Sequence, residues 1–434
     1  MKRLPLALPV ILILAAFPAA HAANLLDIYG EAQQQDAAYA SARAAYQAGK
    51  EKLPQGLSQL LPSVSLGASI SNNDVSSPTA SRQYTNEGYS LSLTQPLYRK
   101  QNFTQYEQAK SQVSVAEAQF LAAQQDLVMR VAQAYFDVLL AQDNVMLSGA
   151  QKTAIGEQLQ QAKRNFEVGV ATITDTHEAQ ARFDLATSQE IAAKNDLEIK
   201  KRALQQIIGR IPGSLATLNS KLALTYPEPN DMGKWVEAAE EQNLPLQIQR
   251  ASLEIANLEV EKSRAGHQPT VDLVASYGDS RNASYLTSGN TTSQSIGLQF
   301  NLPLYQGGLV NSRVREAVAN QDKARQDLEL ARRQVALQSN QAFLGVTSGI
   351  AQVQALEQAL VSSQSMLEST RIGQEVGVRT SVDVLNAQQQ LYSAKRDLSQ
   401  ARYNTLLSQI KLKLATGTLS EQDLQQVNQW LENN

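Results

Sequence analysis

Glu167-Val168-Gly169-Val170 and Glu375-Val376-Gly377-Val378 are identical and lie 208 residues apart in a chain of 434. The spacing holds outward from them. Gly209 and Gly417 keep it on one side, while on the other Gln95-Pro96-Leu97-Tyr98 meets Leu302-Pro303-Leu304-Tyr305 at 207. Leu60-Leu61-Pro62-Ser63-Val64-Ser65-Leu66 meets His267-Gln268-Pro269-Thr270-Val271-Asp272-Leu273 at the same 207. Constancy across matches this far apart predicts a duplicated unit, with one residue inserted in the second copy before its Gly-Val landmark, and a fold of approximate internal two-fold character.

Proline divides each copy. Residues 97–211 and 304–434 contain none, and because proline is expelled from helix interiors, these stretches are able to hold uninterrupted helices. Tyr106, Ala109, Val113, Ala116, Phe120, Ala123 and Leu127 step by alternating three and four residues, and the pattern resumes at Val131, Ala134, Val138, Ala141 and Val145. This is a coiled-coil seam with a stutter between Leu127 and Val131. The second copy repeats much of it through Ala317, Ala324, Leu328, Ala331, Val335, Ala342, Val346 and Val353. One helix over residues 102–166 would be roughly 100 Å long, at ~1.5 Å per residue. Seams this rich in alanine bury little area, so each helix needs partners on more than one side.

Strand patterns occur only beside the prolines. Val64, Leu66, Ala68 and Ile70 alternate with small polar residues, as do Tyr89, Leu91 and Leu93; the second copy has Val271, Leu273, Ala275 and Tyr277, then Ile296, Leu298, Phe300 and Leu302. Each copy therefore supplies a β-hairpin. Their connections, near residues 73–84 and 279–292, are rich in Ser, Asn, Gly and Thr and are expected to be exposed loops. Strands with one apolar and one small-polar face fit an outer-membrane barrel or an ordinary half-buried sheet. Four strands cannot close a barrel, since bacterial barrels start at about eight, so the membrane reading requires an oligomer; three chains would supply twelve.

Composition removes most other classes. With 38 Lys+Arg against 41 Asp+Glu the net charge is −3, which argues against a nucleic-acid partner. The absence of cysteine excludes disulfide scaffolds, thiolate metal sites, a catalytic thiol and an acylated N-terminal cysteine. A mean hydropathy of −0.31 excludes a polytopic helical membrane protein. Lys2 and Arg3, the apolar run Leu4–Ala20 and the small-x-small pattern Ala20-His21-Ala22 predict a signal peptide over residues 1–22. No metal-spaced His cluster, Walker loop or nucleophile elbow is present, so neither an enzyme nor a cofactor is expected.

The signal, the duplicated hairpin-plus-long-helix unit and the alanine seams together resemble the TolC family of outer-membrane export channels. The wording matches too. Leu302-Pro303-Leu304-Tyr305-Gln306-Gly307-Gly308-Leu309-Val310-Asn311-Ser312 resembles the family's strand-to-helix junction. Val376-Gly377-Val378-Arg379-Thr380-Ser381-Val382-Asp383-Val384-Leu385-Asn386-Ala387 resembles its second helical tip, and Gly417-Thr418-Leu419-Ser420-Glu421-Gln422-Asp423-Leu424 its C-terminal segment. Phe166-Glu167-Val168-Gly169 and Ile173-Thr174-Asp175 supply the first copy, so the likeness spans the mature chain.

The resemblance implies a mainly α fold with a β-barrel portion: a homotrimer whose twelve-stranded barrel crosses the outer membrane and continues as a twelve-helix periplasmic tunnel. The expected units are residues 23–210 (a helix, a β-hairpin about 63–95, a helical hairpin about 102–210 with its tip near 169), an equatorial linker 211–231, residues 232–414 (a β-hairpin about 270–302, a helical hairpin about 310–414 with its tip near 377) and an equatorial tail 415–434. It further implies a passive exit duct for drug efflux or type I protein secretion, served by a periplasmic adaptor and an inner-membrane ABC, RND or MFS pump, with outer-membrane lipid around the barrel. Asp383 matches a position whose carboxylates ring the periplasmic entrance, and Asn386 stands where the best-known member has a second Asp. Asp175 and Arg379 match polar links that hold the entrance closed; Gln374 replaces a Tyr in them. The turns at Gly169 and Gly377 are the expected adaptor-docking tips. For Asp175 and Asp383 a helix-capping role is an equal alternative, since Thr172 and Thr380 each precede them by three residues. The rival to the whole reading is a structural coiled-coil protein of the envelope that transports nothing; a nutrient porin fits poorly, because most of the chain is helical in pattern.

Overall fold

The computed structural model describes residues 22–78, 80–219, 224–284 and 289–432. The expected signal peptide lies outside them apart from Ala22. In chain order the elements are α1 (Leu25–Gln35), α2 (Ala37–Lys50), α3 (Lys52–Ser58), β1 (Ser63–Ser77), β2 (Ala80–Tyr98), α4 (Lys100–Glu167), α5 (Ile173–Ile208) and β3 (Thr217–Leu218). Then follow α6 (Met232–Gln242), α7 (Leu244–Arg264), a short 3-10 turn (Ala265–His267), β4 (Thr270–Arg281), β5 (Asn290–Asn301), α8 (Leu309–Glu375), α9 (Ser381–Thr416), α10 (Glu421–Asn428) and β6 (Leu431–Glu432).

Helix lengths repeat between the copies. α4 and α8 have 68 and 67 residues, and α5 and α9 have 36 each. At ~1.5 Å per residue the long pair runs about 100 Å. α4 turns into α5, and α8 into α9, through Gly169 and Gly377 at φ +77° and +79°, a conformation glycine adopts without a Cβ clash. Of the seam positions, Ala109, Leu127, Val131, Val138 and Ala141 are buried within one chain, whereas Val113, Ala116, Phe120 and Ala123 stay partly exposed.

The largest core sits at mid-length of α4 and draws the two ends of the chain together with α5 and α9. Leu127, Tyr135, Phe136 and Leu139 of α4 meet Leu25 and Ile28 of α1, Leu204 of α5, Leu406 of α9 and Leu424 of α10. The Tyr135 hydroxyl donates to the carbonyls of Ala216 at 2.8 Å and Ala23 at 3.2 Å, so a phenol buried among apolar groups is satisfied by loop backbone. Beside it β3 pairs with β6, Thr217 opposite Glu432 and Leu218 opposite Leu431. The segment between the copies and the C-terminal segment thereby share one belt around the middle of the long helices.

The sheet order is β1-β2-β4-β5, antiparallel throughout, which leaves β1 and β5 at its edges. Its register aligns like with like. Ser65, Ser92, Ser276 and Ser295 form one row across all four strands, and the Ser65–Ser92 and Ser276–Ser295 hydroxyls hydrogen-bond at 2.6 and 2.7 Å. The neighbouring row, Val64, Leu93, Ala275 and Ile296, points to the other face, where Leu66, Ile70, Ile296 and Leu298 are each at least 70% exposed. One face is small and polar; the other is apolar and uncovered.

The first connection is shorter than its composition suggests. Residues 73–77 and 80–84, expected to be loop, are strand, because cross-strand polar pairs continue the ladder: Thr85 with Asn72 at 2.7 Å and Gln83 with Asp74 at 2.9 Å. In the second hairpin β4 reaches Arg281 and β5 starts at Asn290; residues 285–288 lie outside the described residues.

Candidate functional site: the helical tips

Each tip is a glycine turn followed by a capping box. Thr172 precedes α5, its backbone N–H donates to the Asp175 carboxylate at 3.0 Å, and the Asp175 N–H returns a bond to the Thr172 hydroxyl at 3.2 Å. Thr380 and Asp383 repeat this at the start of α9, at 2.9 and 3.2 Å. Both threonine hydroxyls also donate to those carboxylates. Bonds from the threonine backbone, then from its hydroxyl, hold both carboxyls below the usual carboxylate range; Ser381 contributes at Asp175 and the Arg379 charge at Asp383. The capping role of both residues is therefore real, and leaves their negative charge in place.

The two tips meet through side chains. Ser381 approaches Asp175 at 3.5 Å, and Leu385 of α9 inserts among Ile155, Leu159, Ala179 and Ala186 of the α4/α5 hairpin. Arg182 of α5 donates to the side-chain carbonyls of Asn386 at 2.9 Å and Gln389 at 2.8 Å on α9, and pairs with Glu178 at 3.2 Å. Sequence reading missed Arg182. The repeat offset contained the signal: Glu178 stands 208 residues before Asn386, and Arg182 lies one helical turn beyond Glu178.

Of the positions expected to link the tips, Asp175 is held by Thr172 and Ser381 and not by Arg379 or Gln374 of its own chain. Arg379 is exposed; its backbone N–H donates to the Gly373 carbonyl at 3.0 Å, and its aliphatic stem covers that buried glycine. Gln374 is half-buried. Beyond the turns, Val168, Val170, Val376 and Val378 are all about 70% exposed, so both tips end in bare apolar side chains.

A family profile described as outer membrane efflux protein matches residues 28–210 and 235–418, which covers both copies. The chain belongs to the outer membrane efflux protein family. Among similar members of this family, the outer membrane protein TolC of Vibrio cholerae is 36% identical over 416 residues, covering 95% of this chain and 94% of the relative. The proteases secretion protein PrtF of Dickeya chrysanthemi is 32% identical over 445 residues, covering 100% and 96%. The crystal structure of the outer membrane protein VceC of Vibrio cholerae superposes with a TM-score of 0.79 at 19% identity, covering 91% of this chain and 96% of that one, and shows the shared fold. As an outer membrane efflux protein, the chain is an outer-membrane exit duct of the TolC type for efflux and secretion, and its relatives are transport proteins rather than enzymes.

Proposed function

We propose that three copies of the chain close their sheets into one twelve-stranded barrel and their helices into one tunnel, gated at the helical tips. The sheet carries this reading. β1 and β5 are unpaired edges of a four-stranded sheet whose apolar face is uncovered, and joining β5 of one copy to β1 of the next satisfies both edges and turns that face to lipid. Beneath the strands, α3, α4, α7 and α8 pack in the order of β1, β2, β4 and β5, so closing the sheet closes the helices too.

At the tips, Asp383 contributes one carboxylate per chain to the entrance, with Asn386 beside it held by Arg182. Asp175, Arg379 and Gln374 act between neighbouring tips, in which role the exposed Arg379 makes no close ion pair among the described residues. The bare Val168-Gly169-Val170 and Val376-Gly377-Val378 turns are the docking points for a periplasmic adaptor. An inner-membrane pump of the ABC, RND or MFS type supplies the energy and selects the cargo; PrtF, named for protease secretion, supports a secreted polypeptide as one such cargo.

The chain has no cysteine, so pairs can be introduced cleanly. Leu66→Cys on β1, tested against a series of single cysteines along β5, should give covalent species ending at three chains. A ladder continuing past three, or no cross-link at any register, would refute the closure. A purely structural coiled-coil role leaves the uncovered apolar sheet face without a purpose.

A further inference from the structure

Where the sheet meets the helices lies a cavity of about 880 Å³, bounded by α3, the start of α4, the end of α7 and the start of α8. Five cations line it: Lys52, Arg99, Lys100, Lys262 and Arg313. Two are internally matched. Arg99 makes a two-pronged contact with Asp272 at 2.8 and 2.6 Å, and Lys262 lies 2.5 Å from Glu259 and bonds Gln105 and Gln108 at 3.1 Å each. Lys52, Lys100 and Arg313 make no ion pair among the described residues, which leaves three uncompensated positive charges per chain.

Strand parity decides which way the cavity opens. Thr270 and Asn301, which are paired with each other and both line it, stand six residues from Ser276 and Ser295, and so share the small-polar face of the sheet. Val271 and Phe300, one residue away, share the apolar face. The cavity therefore opens on the side turned away from lipid.

We propose that this cavity is an anion-binding collar inside the duct at the base of the barrel, taking multivalent oxyanions that bear phosphate or carboxylate groups. The inference rests on the trimeric closure proposed above, which brings three copies around one lumen, for nine uncompensated charges in all. Such a ring in a confined channel concentrates counter-anions, and its reach falls within a Debye length, ~10 Å at 0.1 M salt. The duct then has opposite fields along its length: negative at the Asp383 entrance and positive where cargo passes from helices to strands.

The test uses the full-length trimer in planar bilayers, with inorganic tripolyphosphate added on the barrel side. Conductance should be blocked, with an affinity that weakens steeply as salt rises, and Lys100→Gln combined with Arg313→Gln should weaken the block about tenfold or more. Lys110→Gln, which removes a cation paired with Glu107 instead, should leave it unchanged. Block that tracks the bilayer's phospholipid headgroups rather than the aqueous anion would place the site on the lipid side and overturn the proposal. Conducting channels with no block, or with block equal in wild type and the double variant, would overturn the collar alone. Absence of conductance in a folded trimer would remove the duct and the collar together.

Discussion

Arg182 of α5 holds the side-chain carbonyl of Asn386 on α9 at 2.9 Å, placing a guanidinium beside the position proposed to face the entrance with Asp383. This changes what a carboxylate at position 386 would do. Asn386→Asp would pair with Arg182 rather than add a free charge, so alone it should raise cation selectivity only slightly. In an Arg182→Gln background the same change should raise it strongly, together with block by trivalent cations. Reversal potentials of the four variants in one bilayer series measure this; equal shifts from Asn386→Asp in both backgrounds would show that the contact does not shape the entrance.

Protonation offers a second check. Capping lowers the carboxyl pKa of Asp175 and Asp383 below the ordinary value of 3.8, so the stabilisation is fully present above that value and is lost as pH falls through the lowered one. Cation selectivity should therefore stay flat from pH 7 to about pH 5 and decline only below the normal carboxylate range. A midpoint at pH 5 or higher would contradict the capped, ionised state.

Gly209 and Gly417 occupy equivalent helix ends at φ +78° and +75°, yet their surroundings differ. A Cβ on Gly209 comes no nearer than 3.4 Å to the Gln35 side chain, whereas one on Gly417 runs into the Gln242 carbonyl, with Asn243 Cα at 2.9 Å. Gly209→Ala should cost about 1–2 kcal/mol from backbone strain alone. Gly417→Ala should cost clearly more, read from denaturant unfolding of the assembled protein. Equal losses would mean that the α6–α7 junction does not press on the end of α9.

Much of this architecture was legible in the chain. The 208-residue offset located both tips, and the placement of proline located the long helices, because neither depends on tertiary context. Three features were not read from the sequence, for physical reasons. Asn72, Asp74, Gln83 and Thr85 have loop-like composition, but paired across a strand register they sustain a ladder that no single segment reveals. Tyr135 and Phe136 stand beside the seam positions Ala134 and Val138, and only the return of α1, α9 and α10 to mid-length makes them the largest fully buried side chains among the described residues. Arg182 was missed because its contacts with Asn386 and Gln389 span more than 200 residues, a distance that only the repeat offset bridges.

Topology follows from the direction of the strands. The β1–β2 and β4–β5 connections lie at the end of the sheet opposite the long helices, so tags inserted after Ser77 or at Gly289 should be labelled on intact cells. Labelling only after the outer membrane is permeabilised would reverse the orientation.

Single-channel recording tests the central claim most directly. Purified trimer added to a planar bilayer should insert in discrete conductance steps, cation-selective at neutral pH, with Asp383→Asn reducing that selectivity while the steps persist. A folded trimer that never conducts, or one whose selectivity ignores Asp383, would contradict a duct gated at its helical tips.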